Sequence, residues 1–147
     1  MPPPALLNVS ALCRNRASRN ITLWGYRLPT VRVLDCTTHL MPPTNGGAYD
    51  VVSGRVDFEK GHIPGAGFAD IDNELSDKNH RLHFMLPTAE LFAAAVGKLG
   101  VGDNTKVILY STANHWWATR LWWMLRVFGH ENAAMLNGGF QKWSTVD

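Results

Sequence analysis

Residues 106–128 read Lys106-Val107-Ile108-Leu109-Tyr110, then Ser111-Thr112-Ala113-Asn114-His115, then Trp116 through Phe128, with Gly129 as the stop. The first five form a short apolar run with two β-branched residues, the signature of a buried strand. The last thirteen place apolar side chains at helical spacing with a heavy aromatic load, which predicts a helix. A strand that turns through a compact loop into a helix is the unit of a parallel sheet, because parallel strands need a crossover between them. The loop also precedes a helix N-terminus. Backbone amides can converge there on an anion, and the helix dipole adds about half a positive charge.

The same alternation extends in both directions. Upstream, Val31-Arg32-Val33-Leu34-Asp35 predicts a strand, Met41–Tyr49 a loop of turn formers, and Val56–Gly61 a short helical turn. His62-Ile63-Pro64-Gly65-Ala66-Gly67 predicts a tight connection into a short strand around Phe68–Ile71, followed by a long polar loop over 73–87. Thr88 is placed to cap a helix carrying Leu91, Phe92, Ala95, Val96 and Leu99, which Gly100 ends. Downstream, Ala133–Leu136 predicts a strand, and Asn137-Gly138-Gly139 a turn into a last helical piece ending at Trp143. The expected fold is α/β: an open parallel sheet with helices on both faces, one domain over residues 31–147. Ligands of such sheets bind at the carboxyl ends of strands, which directs attention to Ser111.

Composition narrows the function classes. The chain has 147 residues, 46% hydrophobic and 18% charged, enough for a real core. No apolar run approaches the ~20 residues a membrane helix needs, so no membrane partner is expected. Two cysteines make no disulfide scaffold. The net charge of +2 is uneven: residues 1–34 hold five arginines and no acid, so the rest carries −3. A mildly acidic body argues against a nucleic-acid partner. Residues 1–30 read as a leader or poorly ordered segment. The expected localisation is cytoplasmic, with the arginine-rich start leaving mitochondrial as the alternative.

Position 111 sets the chemistry. A cysteine there would be held as a thiolate by the amides and the dipole. A serine hydroxyl is too weak an acid to ionise in that field, and it carries no sulfur. The nucleophile elbow G-x-S-x-G is absent from Leu109-Tyr110-Ser111-Thr112-Ala113. A phosphatase loop would need an arginine six residues after a cysteine, and position 117 is Trp117.

Phe58-x-x-x-His62-Ile63-Pro64-Gly65-Ala66 resembles the N-terminal signature of rhodanese-like sulfurtransferases, and Ala133–Trp143, with Gly138-Gly139-Phe140 and Trp143, resembles their C-terminal signature. Asn137 and Lys142 depart from the acidic residues usual there. Arg120-Leu121-Trp122-Trp123-Met124-Leu125-Arg126 and Phe128-Gly129-His130 look like the two-domain thiosulfate and 3-mercaptopyruvate enzymes. The resemblance covers about Val31 to Trp143. It implies a rhodanese-like fold and a two-step sulfur transfer through a cysteine persulfide. It also implies that this chain matches the N-terminal, non-catalytic half, with Ser111 at the cysteine position. The implied partners are a second rhodanese domain, in cis or in trans, and a small sulfur-containing anion. The implied anion loop is Ser111, Thr112, Ala113, Asn114, His115 and Trp116, with His62 and Arg120 as candidates for a substrate entrance. No cofactor is expected.

The remaining candidates read as structural. Cys36 ends the first strand and is expected to be a buried thiol; Cys13 has no assigned role. Asp70 and Asp72 are expected to shape the following loop. His80 and His83 form H-x-x-H without a third metal ligand nearby. Trp116, Trp117, Trp122 and Trp123 are expected in the core or at a domain interface; of Arg120 and Arg126, six apart on one helix, one is expected in a salt bridge, and either could draw anions toward the loop. Two further readings stay open: a stand-alone anion-binding regulatory module, and a serine hydrolase using Ser111 with His62 or His115.

Overall fold

The computed structural model describes residues 30–145 and, in the first 29 residues, the backbone of three two-residue strands. These are β1 (Leu6–Leu7), β2 (Thr22–Leu23) and β3 (Tyr26–Arg27). The leader reading of residues 1–30 otherwise lies outside the described residues, as does Cys13. After them come β4 (Thr30–Asp35), β5 (Thr38–Met41), β6 (Asp50–Ser53), α1 (Arg55–Lys60), β7 (Gly67–Phe68) and α2 (Ala89–Lys98). The chain continues through β8 (Thr105–Tyr110), α3 (Trp116–Val127), β9 (Ala133–Leu136) and α4 (Gly139–Ser144).

The main sheet is parallel with strand order β1-β9-β8-β4-β7. Its centre is the pair β4–β8, in register from Thr30 opposite Thr105 to Asp35 opposite Tyr110. The valines at period two in β4 and the apolar run of β8 are what a strand buried in a parallel sheet needs. On one face Leu34, Val107 and Leu109 pack against Phe92 and Val96 of α2 and against Trp117, Leu121 and Leu125 of α3. On the other, Ile108, Tyr110, Ala134 and Leu136 pack with Ile63 and with Phe140 and Trp143 of α4. Thr88 caps α2 as the sequence requires, its hydroxyl accepting the Leu91 N–H at 3.3 Å.

Two departures from the expected elements are instructive. The strand expected around Phe68–Ile71 ends at Phe68. Ala69 still donates to the Asp35 carbonyl at 2.8 Å, but the chain then turns onto the Asp70 side chain, which accepts from Ser53 and Asn73. The loop over 41–49 is the tip of an antiparallel hairpin, β5–β6, paired from Thr38 opposite Ser53 to Met41 opposite Asp50. Half of that hairpin is exposed, so its alternation of apolar and polar residues is faint in the sequence. Gly54 docks the hairpin: its N–H meets the Thr37 carbonyl at 3.0 Å, and a Cβ there would collide with that oxygen.

Candidate functional site

The carboxyl ends of β4, β8 and β9 meet at one end of the sheet. A cavity of about 390 Å³ opens there. Tyr110, Ser111, Thr112, Ala113 and His115 form one wall, and Met135 through Gln141 the other. Asn114 and Trp116, read as part of the anion loop, do not line it. Gly138 and Gly139 turn the chain into α4 with φ of 85° and 59°, left-handed values that suit glycine. The site of a Cβ on Gly139 lies 3.6 Å from the Ser111 carbonyl oxygen, so this turn brings the two walls together.

The loop is held from below by a buried relay. The Asp35 carboxylate accepts the Thr37 N–H at 2.8 Å and the Thr37 hydroxyl. The Thr37 oxygen in turn accepts the Thr112 N–H at 2.9 Å and sits 3.0 Å from the Thr112 hydroxyl. Asp35 and Thr37 are fully buried. Thr112 therefore directs its amide into the fold. The Trp116 amide is also engaged, by Asn114 Oδ1 at 2.9 Å. Ala113, Asn114 and His115 keep N–H groups without a partner among the described residues, at the N-terminal end of the twelve-residue α3.

Ser111 heads this loop, one residue beyond Tyr110. Its Oγ is closed to solvent and has no hydrogen-bond partner among the described residues. The serine-hydrolase reading fails on this point, since neither His62 nor His115 reaches the hydroxyl. His62 donates from Nδ1 to the Phe58 carbonyl at 2.7 Å and stacks on the Phe58 ring at 3.9 Å. Arg120 donates to the Phe84 carbonyl and lies 4.9 Å from the Trp123 ring centroid. Neither His62 nor Arg120 lines the Ser111 cavity.

Burial sets the ionisation of the neighbours. The Cys36 thiol is pushed well above the ordinary range, first by burial and then by the Asp35 charge. The Tyr110 hydroxyl is raised by the same two causes in the same order; its oxygen accepts the Ile63 N–H at 3.3 Å. Arg120 is lowered by burial. The other candidates serve structure. Asp72 pairs with His83 at 3.0 Å and Lys78 at 3.6 Å. His80 Nδ1 accepts the Leu82 N–H, so the two histidines of H-x-x-H turn to different partners. Arg126 meets Glu131 at 3.8 Å. Trp117 and Trp122 are buried, whereas Trp116 is exposed.

Asp35 and Thr37 are the site residues that the sequence reading passed over. The only trace they leave is the Asp35-Cys36-Thr37 step at a strand end. Their partner in the relay, Thr112, lies 75 residues away from Thr37.

Comparison with known proteins places this geometry. A rhodanese-like domain profile matches residues 29–145. The chain is 42% identical over 115 residues to thiosulfate sulfurtransferase of Gallus gallus, a match covering 77% of this chain and 37% of that protein. It is 46% identical over 91 residues to 3-mercaptopyruvate sulfurtransferase of Homo sapiens, covering 60% of this chain and 30% of that one. The chain thus spans about a third of the length of these curated relatives. Among solved structures, the 3-mercaptopyruvate sulfotransferase SseA of Escherichia coli superimposes with a TM-score of 0.73 at 30% identity, over 96% of this chain and 47% of that one. The parallel sheet, the strand-loop-helix at Ser111 and these matches together make the chain a member of the rhodanese-like domain family, homologous to thiosulfate and 3-mercaptopyruvate sulfurtransferases.

Proposed function

We propose that this domain is the non-catalytic rhodanese-like half of a thiosulfate or 3-mercaptopyruvate sulfurtransferase, and that it works by docking to a second, cysteine-bearing rhodanese-like domain. One observation carries the reading. The loop head at the cavity is Ser111, while the cysteine among the described residues, Cys36, is sealed in the core with its thiol held protonated. Sulfur transfer in this family's chemistry needs a thiolate that attacks sulfane sulfur and holds it as a persulfide. An alcohol at position 111 has neither the acidity nor the sulfur. The homology to sulfurtransferases supplies the reaction class; the serine supplies the division of labour.

A second reading draws on the three unpartnered amides of Ala113, Asn114 and His115. They favour a cavity that holds a small sulfur oxyanion without turning it over. One experiment separates the two readings. The purified chain is assayed for thiosulfate:cyanide and mercaptopyruvate:thiol transfer, and thiosulfate is titrated into it by calorimetry. The expected result is no transfer above background. Transfer by the chain alone would overturn the non-catalytic reading. Saturable thiosulfate heat that vanishes on Ser111→Trp would establish the second reading.

A further inference from the structure

The sequence holds two Asn-Gly steps, Asn45–Gly46 and Asn137–Gly138. An asparagine followed by glycine is the least shielded target for attack by its own main chain, because no Cβ stands beside the next amide nitrogen. In a folded chain the outcome depends on what holds the side chain and that amide. Asn73 Nδ2 donates to the Asp70 carboxylate, and Asn114 Oδ1 accepts the Trp116 N–H. Asn137 has no such hold. It is exposed, one residue past the end of β9. Neither its side chain nor the Gly138 N–H has a hydrogen-bond partner among the described residues.

The fold fixes glycine at position 138. Its φ of 85° is left-handed, and a Cβ there would lie 2.5 Å from Lys142 Cδ. The turn into α4 therefore keeps the most permissive successor behind Asn137. Both residues stand in the wall of the Ser111 cavity, across from the loop that Ser111 heads.

We propose that Asn137–Gly138 is a self-modification site, at which deamidation converts an amide of the cavity wall to a carboxylate. The Gly138 nitrogen gives its proton to hydroxide and attacks Asn137 Cγ. A new C–N bond closes a cyclic succinimide. The Cγ–Nδ2 bond breaks, and ammonia leaves with a proton from water, which restores the hydroxide. Water then opens the ring. Cleavage between Cγ and the Gly138 nitrogen gives aspartate; cleavage between the main-chain carbonyl carbon of residue 137 and that nitrogen gives isoaspartate. In sum, one amide and one water become one carboxylate and one ammonium, with no oxidant and no second protein.

The product changes the cavity in charge and in shape. Either form sets a negative charge across from the loop, where it repels a bound anion. Isoaspartate also routes the main chain through one more carbon, just ahead of the turn that brings the site of a Gly139 Cβ to 3.6 Å from the Ser111 carbonyl oxygen. The charge effect rests on the anion-holding reading; the covalent step does not. Asn45–Gly46 is exposed at the hairpin tip and does not line the cavity, so it serves as an internal reference.

The full chain is incubated in mildly alkaline buffer made with heavy-oxygen water, folded and, in parallel, unfolded in guanidinium, and residues 45 and 137 are followed by peptide mass spectrometry. Heavy oxygen is expected at residue 137, as aspartate and isoaspartate. The folded chain is expected to convert there within about tenfold of the unfolded rate, because no opening of the fold precedes ring closure. A slower folded-chain rate, or an amide that persists at 137, overturns the proposal. Asn137→Gln is expected to hold its amide under the same conditions. In calorimetry, Asn137→Asp is expected to weaken thiosulfate binding by about tenfold or more, and Asn45→Asp to leave it unchanged. Equal binding by Asn137→Asp and the parent overturns the charge effect alone. Absence of thiosulfate heat from the unconverted parent overturns the anion-holding reading and the charge effect together, while the oxygen label decides the covalent step.

Discussion

Cys36 and Ser111 occupy matching places on adjacent strands. Each follows the last residue of its strand, and those last residues, Asp35 and Tyr110, are paired in register. Their surroundings are opposite. Cys36 has zero exposure, and its amide continues the ladder to the Tyr110 carbonyl at 2.8 Å. Ser111 leaves the ladder and opens a loop whose free amides precede a helix. Burial holds the sulfur's thiol protonated, and the position that heads the loop before α3 holds an oxygen. What separates the two is the element that follows. After Cys36 the chain stays buried through Thr37 and Thr38, the first residue of β5, whereas the chain after Ser111 runs through a loop to α3.

Exchanging the atom gives the largest expected effect. Ser111→Cys places a thiol under the α3 dipole and beside the amides of Ala113–His115. Its pKa is expected to fall below the ordinary ~8.5, whereas the Cys36 thiol stays above it. At neutral pH the introduced thiol then carries the larger thiolate fraction of the two. Absorbance near the thiolate band, followed through a pH titration with Cys13→Ser and with or without Cys36→Ala, reads each site separately. An introduced thiol that titrates at ~8.5 or higher would show that the loop is no anion cradle.

The contrast between the two positions also marks what the sequence could reveal. Lys106–Tyr110 and Ala133–Leu136 were legible as strands because burial in a parallel sheet leaves apolar runs, and Val31–Asp35 through its valines at period two. α2 was legible through Thr88 and its helical spacing, and α3 through its aromatic load. The position of Ser111 after a strand and before a helix was therefore visible too. The direction of each loop amide was not, because it depends on a contact made 75 residues away between Thr112 and Thr37. His62 and Arg120 do not line the Ser111 cavity: the Phe58 carbonyl four residues back holds one, and the Phe84 carbonyl, 36 residues away, with the Trp123 ring holds the other. The short pairing of β5 with β6 stayed hidden because half-exposed strands of four residues carry almost no period.

A smaller effect comes from cutting the tie between the two positions. Thr37→Val keeps the shape of the buried side chain but removes the hydroxyl that joins Asp35 to Thr112. The Asp35 carboxylate loses one donor, and the Thr112 N–H loses its acceptor inside the fold. Leaving a buried group unpaired costs about 1–3 kcal/mol, so denaturant unfolding should shift by about 2 kcal/mol. The companion variant Thr37→Ser retains the hydroxyl and is expected to recover most of the loss. Equal destabilisation by Val and Ser would assign the effect to packing and dissolve the relay. In the Ser111→Cys background, Thr37→Val should also raise the pKa of the introduced thiol, because the loop loses the anchor that presents its remaining amides.

The smallest effect lies further along the chain that buries Cys36, where the core gives way to solvent. At His39, on the partly exposed strand β5, Nε2 meets Asp57 Oδ2 of α1 at 2.7 Å, and Lys60 stands 3.6 Å from the other oxygen. The Asp57 carboxyl is held below its ordinary range, chiefly by the hydrogen bond from His39 and then by the charges of His39 and Lys60, against an opposing push from burial. A carboxyl depressed in the folded state stabilises the fold above the pKa it has when unfolded, ~3.9 for an aspartate. That contribution is lost as pH falls through the depressed folded value. His39→Ala should therefore lower Tm slightly at pH 5–7, with the difference from the parent chain closing as the pH falls below the ordinary aspartate value of ~3.9 and through the depressed folded one. Salt should shrink the difference as well, because both partners are partly exposed. If the Tm difference stayed constant across the acid limb, packing of the imidazole rather than the ion pair would hold β5 to α1. The hairpin beyond Cys36 would then be fixed by the same kind of contact as the core, with no electrostatic contribution.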